Sequence, residues 1–88
     1  MLRIRRTLDG AAIVLNVSGR LDAGNVSELC VSLDGIPVGT AVVLDLSDLV
    51  LADRAAVRLL RELEARDGVS LRNCPAYIRV WMAGEDIQ

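Results

Sequence analysis

The side chains able to do chemistry in this chain are few. Asp22, Asp45, Asp48 and Asp53 fall where strands would end or in the loops that follow. In a βαβ arrangement such ends gather at one edge, where ligands commonly bind. Carboxylates gathered there would be hard oxygen ligands for Mg²⁺, and a small Mg²⁺-dependent enzyme acting on phosphate esters is one chemistry they allow. The spacing Asp45-x-x-Asp48 is not that of a known metal loop, and Asp45 equally suits the cap of a turn, so no metal site is assigned. Ser47 has no His partner and no flanking elbow glycines. Histidine is missing altogether, which excludes His-based triads, His metal ligands and the usual neutral-pH general base. All ten basic residues are Arg, which excludes a Schiff-base or P-loop lysine. The stretch Gly35 to Gly39 contains Pro37 and lacks a phosphate-cradling pattern. No catalytic constellation survives, and no cofactor is implied.

Composition narrows the classes further. A chain of 88 residues fits one globular domain, residues 1–88, and not two. The hydrophobic fraction is 52% and the aromatic fraction 2%, so the core must be Leu, Val, Ile and Ala. Ten Arg against twelve acids leave a formal charge of −2, which argues against binding a nucleic-acid backbone. Two cysteines, Cys30 and Cys74, are too few for a disulfide scaffold, and reduced thiols in a cytoplasm are expected. No apolar run approaches the ~18–20 residues needed to span a bilayer. The Arg-only, Ala-rich usage points to a GC-rich bacterial genome.

The elements that would position these residues follow from periodicity. Leu2-Arg3-Ile4-Arg5 alternates as a half-exposed strand does, and Asp9-Gly10 is a hairpin turn signal. Residues 2–8 and 11–18 are therefore expected to form an antiparallel hairpin. Arg3, Arg5 and Arg6 read as a solvated strand face guarding a sheet edge. Asn25-Val26-Ser27-Glu28 has the spacing of a capping box, followed by a stripe of Val26, Leu29, Cys30 and Leu33 that would bury Cys30. Cys74, at a strand–helix junction, is the thiol expected to react faster. Ala41 to Leu46 reads as a central strand apolar on both faces. After a loop, a second helix is expected from about Asp53 to Arg66, with Ala56, Leu59, Leu60 and Leu63 inward and Gly68 ending it. A short strand over 69–72 precedes a third helix opened by Pro75, with Ile78, Trp81 and Met82 on one side. Tyr77 and Trp81 read as packing residues, or otherwise as interface anchors. Two successive βα crossovers imply a parallel portion joined to the N-terminal hairpin.

Three segments resemble a known family. Val17-Ser18-Gly19-Arg20-Leu21-Asp22 is similar to the V-x-G-x-L-D opening of STAS domains. Val42-Val43-Leu44-Asp45-Leu46-Ser47 is similar to their central strand, and Asn73-Cys74-Pro75 to the stretch before their last helix. The resemblance covers roughly residues 11–82. It implies an α/β fold with a mixed sheet of about four strands, an N-terminal antiparallel hairpin and three helices largely on one face.

It also implies a role. Antagonists in this family bind a protein partner, often a kinase-like anti-sigma factor, and are released when a Ser or Thr at the start of the second helix is phosphorylated. The acceptor lies in an Asp-Ser-Ser-Gly or Asp-Ser-Thr-Gly motif. Here those positions read Asp53-Arg54-Ala55-Ala56, and the acceptor position, Ala55, has no hydroxyl. The expectation is a non-catalytic interaction module that is not switched by phosphorylation there. Its expected partner-binding residues are Asp22, Asn25, Asp53, Arg54 and Arg58, and its partner an anti-sigma-type kinase-like protein or a component of a membrane transporter. Asp53 has a structural role as well, as the cap of the second helix. Arg54 opposes the helix macrodipole by about 0.3–1 kcal/mol. A pairing with Asp53, Asp48 or Asp22 and a contact with a partner are equally open.

Overall fold

The computed structural model describes residues 2–37 and 39–85. The chain runs β1 (Leu2–Asp9), β2 (Ala12–Leu21), α1 (Val26–Asp34), β3 (Val42–Asp45), β4 (Leu49–Ala52), α2 (Arg54–Glu64), β5 (Val69–Arg72) and α3 (Ala76–Glu85). β1 and β2 form the expected hairpin, from Leu2 opposite Gly19 to Asp9 opposite Ala12. Its two-residue loop is Gly10–Ala11, one residue later than the Asp9-Gly10 signal suggests. Gly10 takes φ 63° while Ala11 stays at negative φ, so the glycine occupies the position where the turn demands it.

β2 is the axis of the sheet. β1 flanks it on one side in antiparallel fashion. On the other side two short strands run parallel to it end to end. β3 covers Ile13–Asn16, and β4 covers Gly19–Leu21. β5 pairs parallel with β3, from Val42 opposite Val69 to Asp45 opposite Arg72. The sheet thus has five strands where about four were expected, because Leu49–Ala52 is a strand and not part of a loop. A bulge marks the change of partner. Gly19 faces Leu49 and Arg20 faces Leu51, so Val50 is the extra residue. Gly19 sits at φ 87°, a conformation that glycine adopts without the penalty a Cβ would incur.

The core lies on one face of this sheet. Ile13, Leu15, Val17 and Leu21 of β2, with Val42, Leu44, Leu46, Leu49 and Ala52, meet Leu29 of α1, four residues of α2 and Ile78 of α3 in a single cluster. Three helices therefore cover one face, as the family resemblance implies. The opposite face carries Arg3, Arg5, Asn16, Ser18, Ser70 and Arg72 at alternate positions. Val14 is the exception there, buried between Thr7 and Val43 in register.

The helices depart from their expected stripes in detail. In α2 the buried residues are Ala56, Val57, Leu60 and Leu63, with Leu59 half-buried at the flank. The helix contacts β4, β5, α1 and α3, and this wider surround turns its buried arc toward Val57. α2 ends at Glu64 with Ala65 as its C-cap, two residues short of Arg66. In α1 only Leu29 is fully buried, and Cys30 is half-exposed rather than buried. Cys74 is also half-buried, packs against the core, and burial pushes its thiol up in pKa. A raised pKa leaves less thiolate, the nucleophilic form, at the thiol expected to react faster. In α3 Ile78 is buried, while Tyr77 and Trp81 are 45% and 41% exposed, so neither is a core residue. The Met82 side chain lies outside the described residues. An ion pair from Arg79 Nη1 to Glu64 Oε2, at 2.7 Å, ties α3 to the end of α2.

Candidate functional site

The C-terminal ends of β2 and β4 lie side by side, Leu21 opposite Ala52. The chain leaves each strand into a helix, so the β2–α1 loop and the start of α2 share one edge. The loop with Asp22 and Asn25 therefore lies beside the α2 start with Asp53 and Arg54, and Arg58 follows one turn along α2.

The loop is held by its own side chains. Asp22 Oδ1 accepts from the Gly24 N–H at 2.9 Å, an Asx turn. A Cβ on Gly24 would meet that same oxygen at 3.2 Å, which favours glycine at this position. Asn25 stands at the N-cap of α1, but its side chain makes no capping bond. Instead its Oδ1 accepts from the Asp22 N–H at 2.8 Å and its Nδ2 donates to the Arg20 carbonyl at 2.9 Å. The expected capping box is therefore not formed; the Asn25 amide staples the loop to the end of β2. The start of α1 is carried by the Asp22 carbonyl, which accepts from the Asn25 and Val26 N–H groups.

Asp53 does two things at once. It is the N-cap of α2, with extended φ and ψ, and its Oδ1 accepts from the Ala56 N–H at 2.9 Å. Its Oδ2 accepts from the Ala23 N–H, also at 2.9 Å, across thirty residues of sequence. One carboxylate thus joins the β2–α1 loop to the helix start. The bonds from Ala56 and then Ala23 hold its pKa below the ordinary 3.8. Arg54, Ala55 and Arg58 follow on the exposed side of α2, with Arg58 one turn above Arg54.

The four aspartates do not share one edge. Asp45 pairs in register with Asn16 of β2, about five residues or ~16 Å below Leu21 along the strand. There its Oδ1 accepts from the Ser47 N–H at 3.0 Å and from Asn73 Nδ2 at 3.3 Å. Asp45 caps a turn, and the Ser47 bond is the main cause of its lowered pKa. Among the described residues no group of three or more His, Cys, Asp or Glu is placed to hold a metal ion.

One feature beside the site was not expected from the sequence. Val50 and Leu51 of β4 are 72% and 48% exposed, a few residues ahead of Asp53. The bulge turns Val50 outward. The signal was the branched, apolar run Leu49-Val50-Leu51 itself, which is strand-forming in composition.

Because both hydrogen-bonded carboxylates have pKa values below 3.8, they stabilise the fold above that value and lose the contribution as pH falls through the lower folded-state values. The melting temperature should therefore drop on acidification below about pH 4. An Asp45→Asn/Asp53→Asn variant should show a shallower drop in the same scan, since its amides no longer titrate. An unchanged slope would show that other carboxylates carry the acid response.

A layered α/β domain with a clamped loop-and-helix edge is the class of protein these features define. The family model described as "Mlab, STAS domain" matches residues 4–82, nearly the whole chain. The chain belongs to the STAS domain family. No curated protein matches it. Among the described residues no helix is long and apolar enough to cross a membrane.

Proposed function

We propose that this STAS domain is a cytoplasmic, non-catalytic protein-interaction module whose binding edge is the β2–α1 loop together with the start of α2. The observation that carries the reading is the pair of hydrogen bonds that the Asp53 carboxylate accepts from the Ala56 and Ala23 N–H groups. It holds the loop and the helix start in one geometry before any partner arrives, which reduces the ordering cost of binding. On that frame Arg54 and Arg58 are the contact residues, and Asp22, Asn25 and Asp53 keep the frame in shape. The domain acts as an antagonist or adaptor of an anti-sigma type, and phosphorylation at the family's acceptor position does not govern it, since Ala55 carries no hydroxyl.

The test pairs the protein with a kinase-like anti-sigma protein from its native cell, with and without ATP. The expected result is a complex whose affinity ATP leaves unchanged, and no phosphate on the protein by mass spectrometry. Stoichiometric phosphate on Ser47 with release of the partner would overturn the phosphorylation-independent reading. Binding only to a transporter component would replace the antagonist role with that of a transporter subunit.

A further inference from the structure

β5 and β4 bound the sheet on the far side of β2, and β1 is its edge on the near side. β1 pairs with β2 along its whole length and with no other described strand. The outward row of its backbone N–H and C=O groups is therefore open to a further strand. Three of its side chains are arginines, all exposed. Arg3 and Arg5 lie on the helix-free face of the sheet and Arg6 on the other. Among the described residues none of these three guanidinium groups makes a hydrogen bond or an ion pair. Their cross-strand neighbours on β2 are Ser18, Asn16 and Leu15, all neutral. The chain has twelve acidic residues, yet the one on β1 is Asp9 at the hairpin end, and it stands 3.7 Å from Arg72.

This arrangement discriminates between occupants. A second copy adding its own β1 would set arginines against arginines, and like charges on adjacent strands repel. A strand with carboxylates at alternate positions would pair each with a guanidinium while completing the backbone ladder. The repulsive element and the attractive one are the same residues. We propose that the β1 edge is a docking site for an extended acidic segment of a partner protein, which adds to the sheet as a sixth strand with its carboxylates facing Arg3 and Arg5. The site lies across β2 from the α2 edge and does not depend on the function assigned to that edge.

The test uses the full chain and two synthetic octapeptides, capped at both ends. One alternates Glu with Val and Thr; the other has Lys in place of Glu. In an NMR titration the acidic peptide should shift the amides of residues 2–9, and the Lys peptide should bind at least about tenfold more weakly. Raising the salt from about 50 to about 500 mM should weaken the acidic peptide several-fold. The Arg3→Glu/Arg5→Glu variant should invert the preference while melting with the parent, because both side chains are exposed. Equal binding of the two peptides, or shifts confined to other strands, would overturn the proposal. So would sedimentation with phosphatidylglycerol vesicles when neither peptide moves the β1 amides, a result that would assign the arginines to a lipid surface. Self-association through β1 in the parent would overturn it as well.

Discussion

Truncation of Leu60 to alanine is expected to destabilise the domain by about 3 kcal/mol, within the usual span of about 2–5 for a buried leucine. Leu60 is fully buried at the centre of the α2 stripe, between the sheet and the other helices. A domain of this length has a total stability of roughly 4–13 kcal/mol, so the loss is a large share of the whole. Leu59 provides the control. It is next in sequence and identical in type, but only half-buried. Leu59→Ala should cost less than about half as much, since it leaves a smaller void and loses fewer contacts. Urea unfolding measures both, with the midpoint shifting and the m value unchanged. Equal losses at the two positions would mean that α2 is rotated toward the stripe its periodicity implies, with Leu59 and not Val57 inside.

The second large effect is expected in binding and not in folding. Arg54 is exposed in the first turn of α2, where a cation opposes the helix macrodipole. Arg54→Ser removes the charge and keeps a residue that suits a helix start. Its stability should remain within about 0.5 kcal/mol of the parent, as for surface changes elsewhere. Affinity for the partner should fall about tenfold or more, the effect of an interface arginine of consequence. The two measurements are made on the same preparation, one by thermal unfolding and one by calorimetric titration. A marked loss of stability with unchanged affinity per folded molecule would make Arg54 a structural ion-pair residue and remove it from the binding edge.

Much of this protein was legible along the chain. Alternation in Leu2-Arg3-Ile4-Arg5 and the Asp9-Gly10 signal are local properties, and they place the hairpin turn to within a residue, while β2 runs on to Leu21, three residues past the expected end. The i, i+3, i+4, i+7 spacing of apolar residues located α1 and α2, because a helix must bury one stripe. Asp53 as the cap of α2 was equally local: an aspartate just before a helix-forming run accepts from the backbone three residues on. The absence of His and Lys closed off whole classes of chemistry before any fold was known.

Other features were decided only when distant segments met. Leu49–Ala52 became a strand because β2 is longer than β3 and leaves Gly19–Leu21 to be paired; four residues carry too little propensity to announce that. Asn25 has the sequence of a capping residue, yet its amide is drawn to Arg20 and Asp22 by the path of the loop. The same carboxylate that sequence marks as a cap also takes the Ala23 N–H, thirty residues away. The four aspartates were separated because β3 and β4 lie end to end along β2, which puts Asp45 and Asp53 at different heights. Tyr77 and Trp81 stayed half-exposed because α3 meets the core through Ile78. Local pattern determines which face of an element is apolar. The packing of one element on another determines how much of that face is covered, and which polar groups it brings within hydrogen-bond reach.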